Sequence, residues 1–151
     1  MALEADRVPW LRGTAVYVAA LARTLLLQHR TPFARIEHDG GTLERRITLV
    51  AAANGNTYGG AFRIAPAADI TDGLLELVVA DAMSRGAILR FVPQVMRGTH
   101  VGRDGVTVLR TRRVVVETDE PLALHADGEI IGDAVRRIEI EVLTGALLVA
   151  A

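Results

Sequence analysis

Apolar positions recur at steps of four and three in the first thirty residues, and at steps of two over most of the chain after Phe33. The early stripe is Leu11, Ala15, Val18, Ala22 and Leu25, which predicts a helix from about Ala5 to Arg30. Pro9 suits its first turn and Pro32 helps to stop it. From Phe33 the segment FARIEHDGGTLERRITLVAAA predicts a hairpin turning at Asp39-Gly40-Gly41. Its second strand, Ile47 to Ala53, is apolar throughout and is expected at the centre of a sheet. AFRIAP and LLELVVA read as two further short strands.

Ser84 to Arg97 returns to a helical pattern, with Ser84 as its cap and Gly98 as its stop. Pro93 is expected to split this helix or to start a second short one. GVTVLRT, RRVVVET, PLALHAD, RRIEIEVL and ALLVA then follow as strands. Asp104-Gly105 and Asp119-Glu120-Pro121 supply turn chemistry between them. The sum is α+β and mainly β, an N-terminal helix followed by antiparallel strands interrupted by a short broken helix. Strands follow strands directly, so a doubly wound parallel sheet is not expected. No internal repeat or linker divides residues 1–151, which are read as a single domain.

Composition narrows the chemistry. Half of the residues are apolar and the formal net charge is −1, so there is no basic footprint for nucleic acid. All 17 basic residues are Arg, which excludes a P-loop lysine or a Schiff base. The absence of Cys excludes disulfides, zinc fingers and thiol nucleophiles. The N-terminus lacks a signal-peptide pattern, and no apolar run approaches the roughly 20 residues of a membrane span. A cytoplasmic location is expected, with at most peripheral contact at the inner membrane face.

Four places carry candidate chemistry. Asn54-Gly55-Asn56-Thr57-Tyr58-Gly59-Gly60 is a glycine-dense loop after a strong strand, without the pattern of a nucleotide loop. A turn between strands is its simplest reading, with the Tyr58 hydroxyl near its tip. Asp69 to Gly73 (DITDG) sets two carboxylates three residues apart, which can wrap a hard cation or build a solvated turn. His125-Ala126-Asp127-Gly128-Glu129 joins a histidine to two carboxylates. In an extended strand Asp127 and Glu129 face the same side and can divide the roles of base and orienter. The alternative is an Asp-Gly hairpin turn, since Asp-Gly occurs four times here. Ser84 is the sole serine and stands in no nucleophile motif.

The block ANGNTYGGAFRIAPAADITDGLLELVV, the helix end FVPQVMRGTHVG, and HADGE followed by IEIEVLTGALLVAA resemble the C-terminal domain of diacylglycerol kinases and of the sphingosine-kinase and YegS-like lipid kinases. The resemblance implies a β-sandwich that partners an α/β domain bearing a Gly-Gly-Asp-Gly-Thr nucleotide loop. That loop does not occur here, so no nucleotide-binding residue is assigned to this chain, and the missing domain is an expected partner. The resemblance further implies ATP as co-substrate, a lipid acceptor, and Glu129 or Asp127 as general base. It implies a structural Mg²⁺ held by Asp72, with Asp69 and Leu74 giving mainly backbone carbonyls. Asn54, Tyr58, Gly59, Gly60 and His125 would line the substrate or interdomain side. Ala61 stands where relatives often have a third glycine. The chain alone is expected to be inactive, and its uncovered face to favour a homodimer. A stand-alone lipid- or protein-binding module and an NAD-kinase relative are the competing readings.

Overall fold

The computed structural model describes residues 29–59, 62–127 and 129–146. Six strands and one helix follow in order: β1 (Phe33–His38), β2 (Gly41–Ala53), β3 (Leu75–Asp81), α1 (Arg85–Arg97), β4 (Val106–Thr111), β5 (Arg113–Ala126) and β6 (Glu129–Glu141). The expected N-terminal helix, apart from its last residues, and the ALLVA strand, apart from its first, lie outside the described residues.

Every pairing is antiparallel, in the order β4-β3-β2-β1-β5-β6. β2 pairs with β1 up to Arg46 and with β3 from Ile47 onward, with a register shift between Ile47 and Leu49. The side chain of Thr48, inside that shift, accepts from the Met83 N–H at 2.8 Å. One long strand thus serves two sheets, the device by which sandwiches make a corner.

Arg112 alone joins β4 to β5, although four places separate them in the strand order. In a flat sheet four places are about 19 Å, whereas two residue steps reach roughly 7 Å. The sheet must therefore fold over on itself. Asp39 fastens the closure, its N–H donating to Thr111 Oγ1 (3.1 Å) and its Oδ2 accepting from the Arg112 N–H (2.6 Å).

Two apolar layers result. Ala34, Ile36, Ile47, Leu77, Val79, Val114 and Val116 fill the interior between the folded halves. β3 is buried on both faces, and Val78 belongs to a second layer with Phe62, Ile64, Ala65, Ile88, Val92 and Val95. The three α1 residues stand at helical spacing, and each contributes about 1.5–3 kcal/mol by burial. As expected, the Ser84 side chain caps α1 and Gly98 ends it in the left-handed region (φ 70°).

Three expectations are corrected. AFRIAP is not a strand in its described part: a single bridge joins Tyr58 to Phe62, and the chain then turns. Its apolar residues bury against α1, and the Arg63 N–H bonds Val95 O at the helix end instead of a neighbouring strand. Pro93 does not break α1, which is continuous. Pro93 lies on the exposed side, where the carbonyl its missing N–H leaves free is open to solvent rather than buried in the core. RRVVVET and PLALHAD form one strand, β5, and Asp119-Glu120-Pro121 becomes a bulge in it. There the Thr118 hydroxyl bonds Glu120 O at 2.7 Å, and Pro121 has no ladder partner to lose.

Candidate functional site

The acidic turn precedes β3 and is tied down by its own side chains. Asp69 Oδ1 accepts from the Thr71 N–H (2.8 Å) and hydroxyl (2.6 Å). Those bonds hold the Asp69 carboxyl below its ordinary range, with Arg110 adding a smaller pull. Asp72 Oδ1 accepts from the Leu74 N–H at 2.9 Å, and its Oδ2 lies 3.5 Å from Arg110 Nη1. Gly73 turns the chain at φ 70°, and Thr144 packs against it: a Cβ there would meet Thr144 Oγ1 at 3.2 Å.

The donor types suit a small hard cation, as the resemblance implies. Asp69 Oδ2 has no hydrogen-bond partner among the described residues, whereas Asp72 already faces a guanidinium. Leu74 offers its carbonyl beside them. No set of three or more acidic, His or Cys side chains forms a metal cluster among the described residues, so carbonyls and water must complete any such shell.

An open cleft of about 500 Å³ lies alongside, lined by Gly55 and Asn56 on one side and Pro66 to Ile70 on the other. It joins the Asn54 loop to the acidic turn. Asn54 and Asn56 are exposed, and Asn56 Oδ1 accepts the Thr57 hydroxyl at 2.6 Å. Tyr58 is half-buried against the α1 layer rather than standing free at a loop tip. Gly59 has φ 59°, and Gly60 lies outside the described residues.

HADGE forms the end of the β5–β6 hairpin. Ala126 pairs with Glu129 and His125 with Ile130. Asp127 takes a left-handed φ of 48°. Of the two readings of this segment, the structure has the Asp-Gly hairpin turn and not an extended strand with Asp127 and Glu129 on one face. Reversal occurs between them because Asp tolerates the left-handed region and Gly follows it. Both carboxylates are exposed, with no hydrogen bond or ion pair to another described residue. His125 Nδ1 is buried without a partner, and burial pushes the imidazole pKa down, favouring its neutral form. The hairpin near this tip is irregular, with register shifts on both sides of Leu124. Such bulges re-aim side chains.

The structure separates the two acidic places. Thr144, packed on Gly73, follows the far end of β6, whereas Glu129 begins it. β6 has 13 residues, so the gap is up to roughly 40 Å along the strand. The carboxylates of the hairpin tip and of the acidic turn cannot share one ion.

Two charged residues of this region escaped the sequence reading. Glu76 is 3% exposed, and its Oε2 has no partner. Arg110 stands directly opposite it on β4 and reaches both Ala67 O (3.1 Å) and Asp72. Each interrupts an apolar strand, LLELVV and VTVLRT, and that interruption is the available signal.

A family model described as the YegS C-terminal NAD kinase beta sandwich-like domain matches residues 1–151. The chain is 33% identical over 126 residues to a diacylglycerol kinase of Mycobacterium tuberculosis, covering 83% of the chain and 40% of that protein. It is 28% identical over 97 residues to a diacylglycerol kinase of Bacillus subtilis, covering 64% and 32%. A crystal structure of a diacylglycerol kinase from Bacillus anthracis matches 88% of the chain and 44% of its own, with 23% identity and a TM-score of 0.66. The chain thus spans about two fifths or less of the curated relatives it matches.

Proposed function

This chain belongs to the YegS C-terminal, NAD-kinase β-sandwich-like family, and from that premise we propose that it is the acceptor side of an ATP-dependent lipid kinase. The observation that carries the reading is the exposed carboxylate pair at the β5–β6 tip, in a chain aligned with part of a diacylglycerol kinase. A base must reach the hydroxyl it deprotonates. Asp127 and Glu129 are accessible and held by no ion pair with a described residue, unlike Asp72 or Glu139. One of them accepts the proton as the lipid oxygen bonds to the γ-phosphorus and the bond to ADP breaks. His125, neutral beside them, adds no positive charge that would weaken the base.

ATP is assigned to a separate nucleotide-binding domain, because no phosphate loop occurs in this sequence. Magnesium, when bound, supplies charge neutralisation at the phosphates and rigidity at the acidic turn. Asp69, Asp72 and the Leu74 carbonyl are the residues that would hold the structural ion. Diacylglycerol is the acceptor class suggested by the names of the relatives. Among the described residues no helix is long and apolar enough to cross a membrane.

The test is phosphate transfer from ATP to diacylglycerol in mixed micelles, with the chain fused to or reconstituted with a nucleotide-binding domain. The chain alone is expected to give no turnover. The assembled protein is expected to turn over and to lose most of its rate with Glu129→Gln or Asp127→Asn. Full activity in both variants would overturn the assignment of the base. Turnover by the chain alone would overturn the division of labour.

A further inference from the structure

Arg110 and Glu76 form a pair whose geometry the proposed reaction does not use. They face each other in register across β4 and β3, close enough for their long side chains to meet. No salt bridge joins them. The guanidinium turns instead to the acidic turn, 3.5 Å from Asp72 Oδ2, and donates to Ala67 O at 3.1 Å. Glu76 is left 3% exposed with an unpartnered Oε2. A buried carboxyl oxygen without a partner is costly, and native structures rarely keep one without use. Arg110 has two acidic seats within reach and fills one.

We propose that Arg110 is a built-in competitor for the cation at the acidic turn, exchanging between Asp72 and Glu76. Resting on Asp72, the guanidinium neutralises the carboxylate that would give the ion its side-chain ligand. A cation arriving at Asp69 and Asp72 repels it toward the empty seat opposite. Glu76 then gains its missing partner, and the bond to Ala67 O, which helps to shape the cleft beside Asn56, is released. Cation binding is thereby coupled to the wall of the cleft. This inference rests on the cation site in the reading above. It adds that two residues outside that site set its affinity, in opposite directions.

The test is calorimetric titration of the 151-residue chain with MgCl2 at fixed ionic strength. Wild type, Arg110→Gln, Glu76→Gln, the double variant and Asp72→Asn are compared, and circular dichroism checks that each is folded. Arg110→Gln is expected to bind about three- to tenfold tighter, the range for losing one half-exposed competing charge. Glu76→Gln, which removes the empty seat, is expected to bind weaker by a similar factor. In the Arg110→Gln background the Glu76→Gln effect is expected to fall below about twofold, because there is no guanidinium left to relocate. Arg110→Lys, which keeps the charge, is expected to stay near wild type. Equal or weaker binding by Arg110→Gln overturns the competition. A Glu76→Gln effect of the same size in both backgrounds overturns the exchange and leaves only a distant charge. In both cases wild-type binding that Asp72→Asn abolishes keeps the cation site itself. No binding by wild type or by any variant overturns the site and the competition together.

Discussion

Asp72-Gly73 and Asp127-Gly128 are the same dipeptide in opposite circumstances. Around the first, Asp69 takes two bonds from Thr71, Asp72 takes one from Leu74, and Thr144 closes on Gly73. At the second, Asp127 and Glu129 stand exposed with no side-chain bond to another described residue, and only the strand pairing beside them fixes the turn. A carboxylate whose charged form is held by donors is a poorer proton acceptor but a good structural anchor. One left to solvent at a hairpin tip can accept a proton from a ligand that docks there. Under the proposed function, architecture falls to the first Asp-Gly and chemistry to the second.

The largest effect that would break this contrast lies at the tip. Glu129→Gln, if Glu129 is the base, is expected to lower kcat by about 10²–10⁴ in the assembled kinase. Its melting temperature should move little, since an exposed, unbonded side chain contributes within about 0.5 kcal/mol. A large loss of stability with unchanged kcat would reverse the assignment.

Next in size is Gly73→Ala. The left-handed φ and the 3.2 Å approach to Thr144 both oppose a side chain. The cost is expected at about 1–3 kcal/mol, or roughly 3–8 °C in melting temperature. Adding Thr144→Ala should recover part of that loss, because it removes the contact and leaves the φ strain. Full recovery would show that the backbone is unstrained.

The acid limb of stability gives a smaller effect. Asp69 titrates below its unfolded value of 3.8, so its contribution is present above that pH and fades as pH falls through the folded value. Asp69→Asn is expected to melt lower than wild type near neutrality, and the two curves to converge below pH 3.8. Melting curves that stay parallel down to strong acid would rule out this linkage. Smallest of all is Asp127→Gly, expected to shift the melting temperature by no more than about 2 °C, because glycine accepts the φ of 48° as readily. A drop of several degrees would mean that the Asp127 side chain holds the turn.

Much of the fold was legible because local rules wrote it. The alternation in FARIEH, the cap at Ser84 and the stop at Gly98 each depend on a few adjacent residues. Errors came where distant partners overrode a local preference. AFRIAP has strand composition, yet Phe62 and Ile64 are claimed by α1. Pro93 reads as a break, yet its face of the helix is open to water. Asp119-Glu120-Pro121 reads as a turn, yet β6 continues past it and holds β5 straight through a bulge. At the candidate site, Asp69, Asp72 and the two carboxylates of HADGE were visible as residue types at short spacing. Glu76 and Arg110 were not, because their opposition is a matter of strand register.

The sequence by itself determined the mainly β class, the absence of thiol and lysine chemistry, and the two acidic motifs. These follow from composition and from periods of two and 3.6, which need no knowledge of contacts. Only the tertiary structure decided that β2 serves two sheets and that the acidic motifs stand at opposite ends of β6. Only it showed that a buried glutamate waits opposite an arginine engaged elsewhere. Those relations join residues tens of positions apart, and they exist only once the sheet has closed on itself.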